Sequence, residues 1–266
     1  MNTIAQINVA KSSDHGLLAR SYLLEAKFEF IRMLRLPSFA LPTLMFPAMF
    51  YLLFGVLMGH WGKSAYHPAV YLLATYGVFG VMGPGLFGFG VAVASERERG
   101  WLTLKRALPM PPGAYLAAKL AMAMLFALVI FCILAILSAT VGGVRLAPTQ
   151  WLALMAVDVL GVLPFCAIGL FIGTRVGAQA APAVVNVIYL PMAFLSGLWF
   201  PLFLLPAAIQ KTAALWPAFH LGQIALGVVG QGGDGRILLH VGTLVAFTGV
   251  FFALARRRLV RNGARS

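Results

Sequence analysis

Few residues in this chain have the types and spacing that chemistry needs. The triplet Gly62-Lys63-Ser64 resembles the end of a phosphate-binding loop, in which glycine amides and a lysine hold nucleotide phosphates. That loop also needs a glycine five positions before Gly62, and Leu57 stands there. We therefore expect no ATP hydrolysis by this chain, and we assign no catalytic residue.

Ser196 and Asp158 mark two other functional classes. Ser196 would serve an intramembrane enzyme only with a base on the same face, and no histidine is near it in sequence. Asp158 is the lone acid in a long apolar run, where acids commonly belong to a substrate or proton path. An ion-coupled carrier using Asp158 stays open as an alternative, although the internal repeats of carriers are not visible. Cys132 and Cys166 lack zinc-ligand spacing, so no metal is expected.

Composition sets the class of protein that carries these residues. Of the 266 residues, 61% are hydrophobic and only 10% are charged, whereas a soluble domain has about 25% charged residues. The formal net charge of +13 would suggest nucleic acid in a soluble protein. Basic residues that flank membrane helices explain it better, so we predict a polytopic membrane protein without a nucleic-acid partner.

The apolar runs predict an all-α fold with six membrane-spanning helices, since each crossing needs roughly 20 apolar residues. Pro201, Pro206 and Trp216-Pro217 interrupt the stretch after the fifth span, so 201–230 is expected to form short re-entrant helices. The predicted organisation is a tail at 1–16, a connecting helix at 17–35, a transmembrane domain at 36–255 with spans at 38–59, 70–95, 120–142, 150–173, 178–200 and 237–255, and a basic tail at 256–266.

The positions of the basic residues predict the orientation. With the N-terminus inside the cell, 16 lysines and arginines fall on the cytoplasmic side and four fall outside. Because basic loops stay inside, we predict an inner-membrane protein with both termini in the cytoplasm.

Two predicted cytoplasmic segments have amphipathic patterns. In the connecting helix, one face is apolar, and another face carries Glu25, Glu29 and Arg32. Such a helix suits the lipid headgroup layer, and its charged face suits a soluble partner. The loop 96–119, which we call the coupling loop, has an apolar stripe that ends at a proline-rich run: Trp101, Leu104 and Leu108. It is either a short helix that fits a groove on another protein or a solvated turn.

Small residues recur at helical spacing in the fourth span and just after it. Gly169, Gly173 and Gly177 are four residues apart, a spacing that lets helices approach closely. They fit packing within the subunit or a contact between subunits.

The order of these motifs resembles the ABC-2 type permeases, the membrane subunits of type-2 ABC exporters. The first pattern is Ser95-Glu96-Arg97-Glu98-Arg99-Gly100, with Leu104, Leu108-Pro109, Tyr115 and Lys119 after it. The second is Leu195-Ser196-Gly197, Pro201, Leu205-Pro206 and Trp216-Pro217. One departure is Trp101, where many members have threonine after the glycine.

This resemblance implies a dimeric permease, expected to be a homodimer, that works beside two copies of a separate ATPase, which binds the ATP and Mg²⁺. The chain itself would bind no cofactor and would move a substrate out of the cytoplasm. The coupling region is then Glu96, Arg97, Glu98, Arg99, Gly100, Trp101, Leu104 and Leu108. The lining of the substrate path is expected to include Phe87, Phe89, Asn186 and Phe194, with Asp158 as a further candidate.

Overall fold

The protein is 82% helical, and the residues that the computed structural model describes, 14–57, 67–101, 104 and 113–263, contain no strand. In chain order the helices are α1 (Asp14–Leu34), α2 (Pro37–Phe50, continued by a π-helical segment, Tyr51–Leu57), α3 (Pro68–Gly85, continued by a π-helical segment, Leu86–Val91), α4 (Ala92–Glu98), α5 (Ala114–Thr140), α6 (Pro148–Gly161), α7 (Leu163–Gly173), α8 (Ala181–Leu195), α9 (Ala207–Ala213), α10 (Pro217–Val229) and α11 (Ile237–Gly263). A short 3₁₀ helix, Leu202–Leu204, precedes α9.

Five helical segments are long and apolar enough to cross a bilayer: Pro37–Val56, Pro68–Glu98, Ala114–Thr140, Pro148–Gly173 and Ile237–Arg258. They overlap five of the six predicted spans and confirm an all-α polytopic membrane protein. The helices α9 and α10 are bent by 89° relative to each other, the geometry of a broken span or a re-entrant loop. The described residues therefore contain five spans, or six if this bent pair counts as one, and the span predicted at 178–200 stays a prediction.

The helix α8 is shorter than the span predicted at 178–200. Its 15 residues reach about 22 Å, less than the roughly 30 Å of a bilayer core. The chain leaves the helix before Pro201 because Gly197 adopts a left-handed conformation, with φ +74°. A Cβ atom at Gly197 would lie 2.5 Å from Cγ of Leu202, so the turn also needs the missing side chain.

The segment α3–α4 is the centre of the bundle. Within its apolar stretch 83% of residues are buried, against 33% in α2 and 11% in α11. The outer helices expose apolar side chains such as Met45, Ile136 and Val245, as lipid-facing helices do. The helix α1 packs along the first turns of α5 at one end of the bundle, where Glu29 contacts Lys119 and Phe30 contacts Phe126. We call this end the α1 end.

Candidate coupling site and groove

A buried charge cluster joins three helices at the α1 end. Its members are Glu29 and Arg32 on α1, Glu96 on α4, and Tyr115 and Lys119 on α5. Lys119 is fully buried, and its Nζ donates to Oε1 of Glu29 at 2.7 Å and to Oε1 of Glu96 at 3.1 Å. Lys119 therefore links α1 to α4 from the first turns of α5.

The other members complete the hydrogen bonding of the two carboxylates. Arg32 donates to Oε1 of Glu29 at 2.6 Å and also to Oε1 of Glu96, and the Tyr115 hydroxyl donates to Oε2 of Glu96 at 2.6 Å. Burial opposes the charged form of Arg32, but Glu29 and Glu96 outweigh it and raise the pKa of Arg32 above its usual value. Two acids face two bases, so the charge cluster is neutral as a whole.

The neighbouring residues of α4 tie it to α7. The Arg97 guanidinium donates to the carbonyl oxygens of Gly173 at 2.9 Å and Val176 at 2.8 Å, which belong to the C-terminal end of α7 and the residues after it. Glu98 Oε1 accepts a hydrogen bond from the backbone N–H of Ala178 at 2.9 Å. Together with the charge cluster, these hydrogen bonds join α4 to α1, α5 and α7.

The predicted coupling residues divide into an inward group and an exposed group. Glu96 and Arg97 make the contacts within the chain described above. Glu98, Arg99 and Gly100 are exposed, as are Trp101 and Leu104, whose exposed fractions are 41% and 64%. Leu108 and the rest of 105–112 lie outside the described residues. Docking to another protein stays a prediction, and the exposed group is where it would occur.

The connecting helix has its charged face turned inward. Glu29 and Arg32 belong to the charge cluster, and Glu25 is half-buried. Leu24 and Phe28 on the predicted apolar face are exposed, as expected of a helix that contacts lipid headgroups. The sequence pattern separated an apolar from a charged face but did not say which one meets the protein. Lys119 and Tyr115 carried a signal too, as polar residues in the first turns of an apolar span.

An apolar groove of about 820 Å³ runs from the α1 end towards the opposite end, between α2 on one side and α3 and α8 on the other. Aromatic side chains dominate its wall: Phe39, Phe46, Phe50, Phe79, Phe87, Tyr189, Trp101 and Trp199. Among the described residues, Nε of Arg32 and Nε1 of Trp199 are buried donors without a hydrogen-bond partner, and both residues line the groove. The groove thus offers an apolar wall with free hydrogen-bond donors near its two ends.

The groove brings together some of the predicted path residues. Phe87 and Asn186 line it. Phe89 is buried in the core, and Phe194 packs edge-on against Trp199 with ring centroids 6.3 Å apart. Asp158 lies away from the groove lining, and a Cβ atom on Gly77 would be 2.6 Å from its Oδ2. The path role of these residues stays a prediction.

Asp158 is expected to be dispensable for transport. It is buried, and its Oδ1 has no hydrogen-bond partner among the described residues. An unpaired buried carboxylate costs free energy when ionised, so we expect Asp158→Asn to fold at least as stably and to transport normally from pH 6 to pH 8. Thermal unfolding and uptake into vesicles measure both. Loss of transport across that pH range in a folded variant would instead assign Asp158 to the path.

The comparisons with known proteins agree with this architecture. The model of the ABC-2 type transporter family matches residues 21–229. A protein of Bacillus subtilis (strain 168) described as a transport permease, YvfS, is 28% identical over 229 residues, which cover 86% of this chain and 92% of that protein. Nodulation protein J of Rhizobium leguminosarum bv. viciae is 35% identical over 127 residues, 42% of this chain and 47% of that protein. The family match includes α2 to α10, the charge cluster and the groove, and the chain belongs to the ABC-2 type transporter family.

Proposed function

We propose that this chain is the membrane subunit of an ATP-driven exporter, which works as a dimer beside two copies of a separate ATPase. Membership in a transporter family is the observation that carries the proposal. The distribution of basic residues, 16 against four, supports a cytoplasmic α1 end. An ATPase that closes on ATP would then meet the end of the bundle where α1, α4 and α5 are joined.

The charge cluster would carry movement of the ATPase to the membrane helices. Energy passes between two proteins only if their contact differs between the open and closed states of the ATPase. A push on the exposed residues 98–101 would act on α4, whose inward neighbours Glu96 and Arg97 connect it to α1, α5 and α7. Because these links are short and those of Lys119 are fully buried, we infer that the four helices move as one body.

The groove supplies the substrate path of the proposed exporter. Its aromatic wall suits an apolar or amphiphilic molecule, and its opening between α2 and α8 faces the lipid or a second copy of the chain. A dimer that places two such grooves face to face would enclose a passage. Substrates with an aliphatic or aromatic part and a polar end fit this lining, because Nε of Arg32 and Nε1 of Trp199 are donors without a partner among the described residues.

Association with the ATPase tests the proposal. We expect Trp101→Ala with Leu104→Ala to reduce the ATPase that co-purifies with the tagged chain at least about ten-fold, because exposed aromatic anchors contribute most of the free energy of binding. The matched control is Phe203→Ala with Leu204→Ala, two similarly exposed apolar residues at the opposite end. Quantitative mass spectrometry of the purified complex measures the ratio.

Two outcomes would count against the proposal. Equal losses in both double variants would show that the exposed group at the α1 end is not the contact. Full transport by the purified chain in vesicles, driven by an ion gradient without any ATPase, would favour an ion-coupled carrier.

A further inference from the structure

Two buried histidines join α10 to α11 at the end of the bundle opposite α1. His220 and His240 are 4% and 2% exposed, and their Nδ1 atoms lie 2.8 Å apart. Nε2 of His220 lies 2.9 Å from the carbonyl oxygen of Ala214, and Nε2 of His240 lies 2.7 Å from Oδ1 of Asp234. The two rings therefore form one chain of three hydrogen bonds between a carbonyl group and a carboxylate.

The number of protons that these three hydrogen bonds require follows from the two groups at the ends of the series, the carbonyl oxygen and the carboxylate. A carbonyl oxygen and an ionised carboxylate only accept, so Nε2 of His220 and Nε2 of His240 must each carry a proton. The contact between the two Nδ1 atoms needs a third proton. Two neutral imidazoles hold two protons in total, so all three hydrogen bonds exist together only when the pair has taken up one more.

We propose that His220 and His240 form a binding site for a single proton. The two rings share this proton, and it stabilises the contact between α10 and α11. The counter-charge is Asp234, whose side chain is 42% exposed and connects the site to the medium. The ring of Phe219 packs edge-on against both imidazoles, with centroids 5.4 and 6.0 Å away, and limits the entry of water.

The surrounding charges leave Asp234 as the principal electrostatic partner. The backbone N–H of Arg236 and then the side chain of His240 hold the pKa of Asp234 below its usual value, so the carboxylate stays ionised in mild acid. The elements around the two histidines contribute few other charges. The helix α9 carries the exposed Lys211, and α10 carries no acid, lysine or arginine. The acid of α6 is Asp158, which packs against α3. The helices α3 and α7, which also pack against α10 or α11, carry no acid, lysine or arginine. The positive charge of Arg236 also acts on Asp234, and the arginines of α11 itself lie near its far end, from Arg256 onward.

Loss of the shared proton changes the contacts in a defined way. With two neutral rings, two lone pairs must face each other at one of the three contacts, which then opens. The contact between α10 and α11 therefore has all three hydrogen bonds while the pair holds the shared proton, and it loses one of them when that proton leaves. The site is not suited to a metal ion, because Asp234 binds the nitrogen of His240 that points away from His220.

The experiment uses the full-length chain in lipid nanodiscs with ¹⁵N-labelled histidine. We expect NMR between pH 5 and 9 to show that His220 and His240 titrate together with one proton between them. Asp234→Asn should lower the midpoint by about one pH unit or more, because it removes the opposite charge. His67→Gln, which replaces an exposed histidine of the same end, should leave the midpoint unchanged.

Hydrogen–deuterium exchange gives a second readout. Amide exchange is itself base-catalysed, so each rate is compared with that of an unstructured peptide at the same pH. The remaining protection of the amides in α10 and in the first turns of α11 should fall about ten-fold as the pH passes the midpoint, since one charge-assisted hydrogen bond is lost. Two independent one-proton titrations, or a midpoint that Asp234→Asn does not move, would overturn the proposal. A shift of the ring signals on addition of Zn²⁺ alone would overturn it in favour of a metal site.

Discussion

Lys119→Met should lower the free energy of unfolding by about 3–5 kcal/mol, the usual cost of breaking a buried ion pair. Methionine keeps the length and the apolar stem of the side chain but removes the charge that meets both carboxylates of the charge cluster. Glu29 and Glu96 would then share Arg32 alone, and one buried negative charge would remain uncompensated. Unfolding of the purified protein in mixed micelles measures the change.

The controls separate the charge cluster from a general effect of losing a lysine. Lys211→Met replaces an exposed lysine at the opposite end and should change stability by less than about 0.5 kcal/mol. Adding Glu29→Gln to Lys119→Met should recover part of the loss, because the charges balance again. Equal stability of Lys119→Met and Lys211→Met would mean that the charge cluster does not hold the helices together.

The helices were predictable because the relevant information is local. Uncharged runs of about 20 residues between basic segments define spans whatever the rest of the chain does. The short α8 was not predictable at the same level. Pro201 marked the end of the run, but the left-handed turn at Gly197 ended the helix earlier, and glycine is common enough in membrane helices to carry no clear signal there.

The contacts of the charged residues depended on the tertiary fold. Arg32 and Glu96 are 64 residues apart and Lys119 and Glu29 are 90 residues apart, so no periodicity connects them. The sequence pattern showed an acidic group at the start of the coupling loop without showing that Glu96 turns inward and Glu98 outward. That difference follows from helical geometry, since residues two apart on a helix point to different sides.

The mechanical transmission that we propose also requires that the central helix of the bundle resist deformation. The crossing of α3 and α7 meets that need because it brings the two backbones into contact. A Cβ atom at Gly169 would lie 2.5 Å from the carbonyl oxygen of Gly85, and one at Gly173 would lie 2.8 Å from that of Gly90. Such closeness maximises packing between helices that gain nothing from excluding water in a bilayer.

Gly169→Val should therefore destabilise the protein by about 3 kcal/mol or more, at the upper end of overpacking effects. The obstructing atoms are backbone atoms of α3 and its π-helical continuation, so no rotamer change relieves the clash and the helices must separate. The matched control is Gly242→Val on α11, where a Cβ atom would meet nothing within 4 Å. It should change the free energy of unfolding by less than about 0.5 kcal/mol.

The same pair of variants distinguishes the two roles left open for the small residues. Packing within one chain predicts that Gly169→Val lowers the stability of the monomer itself, because its partner atoms lie in α3 of the same chain. A role in subunit contact predicts instead a monomer of normal stability that no longer forms cross-linked dimers. Unfolding and cross-linking measured in the same membranes separate these results. We expect a less stable monomer, because the backbones at Gly169 and Gly173 already contact α3 and its π-helical continuation in the same chain.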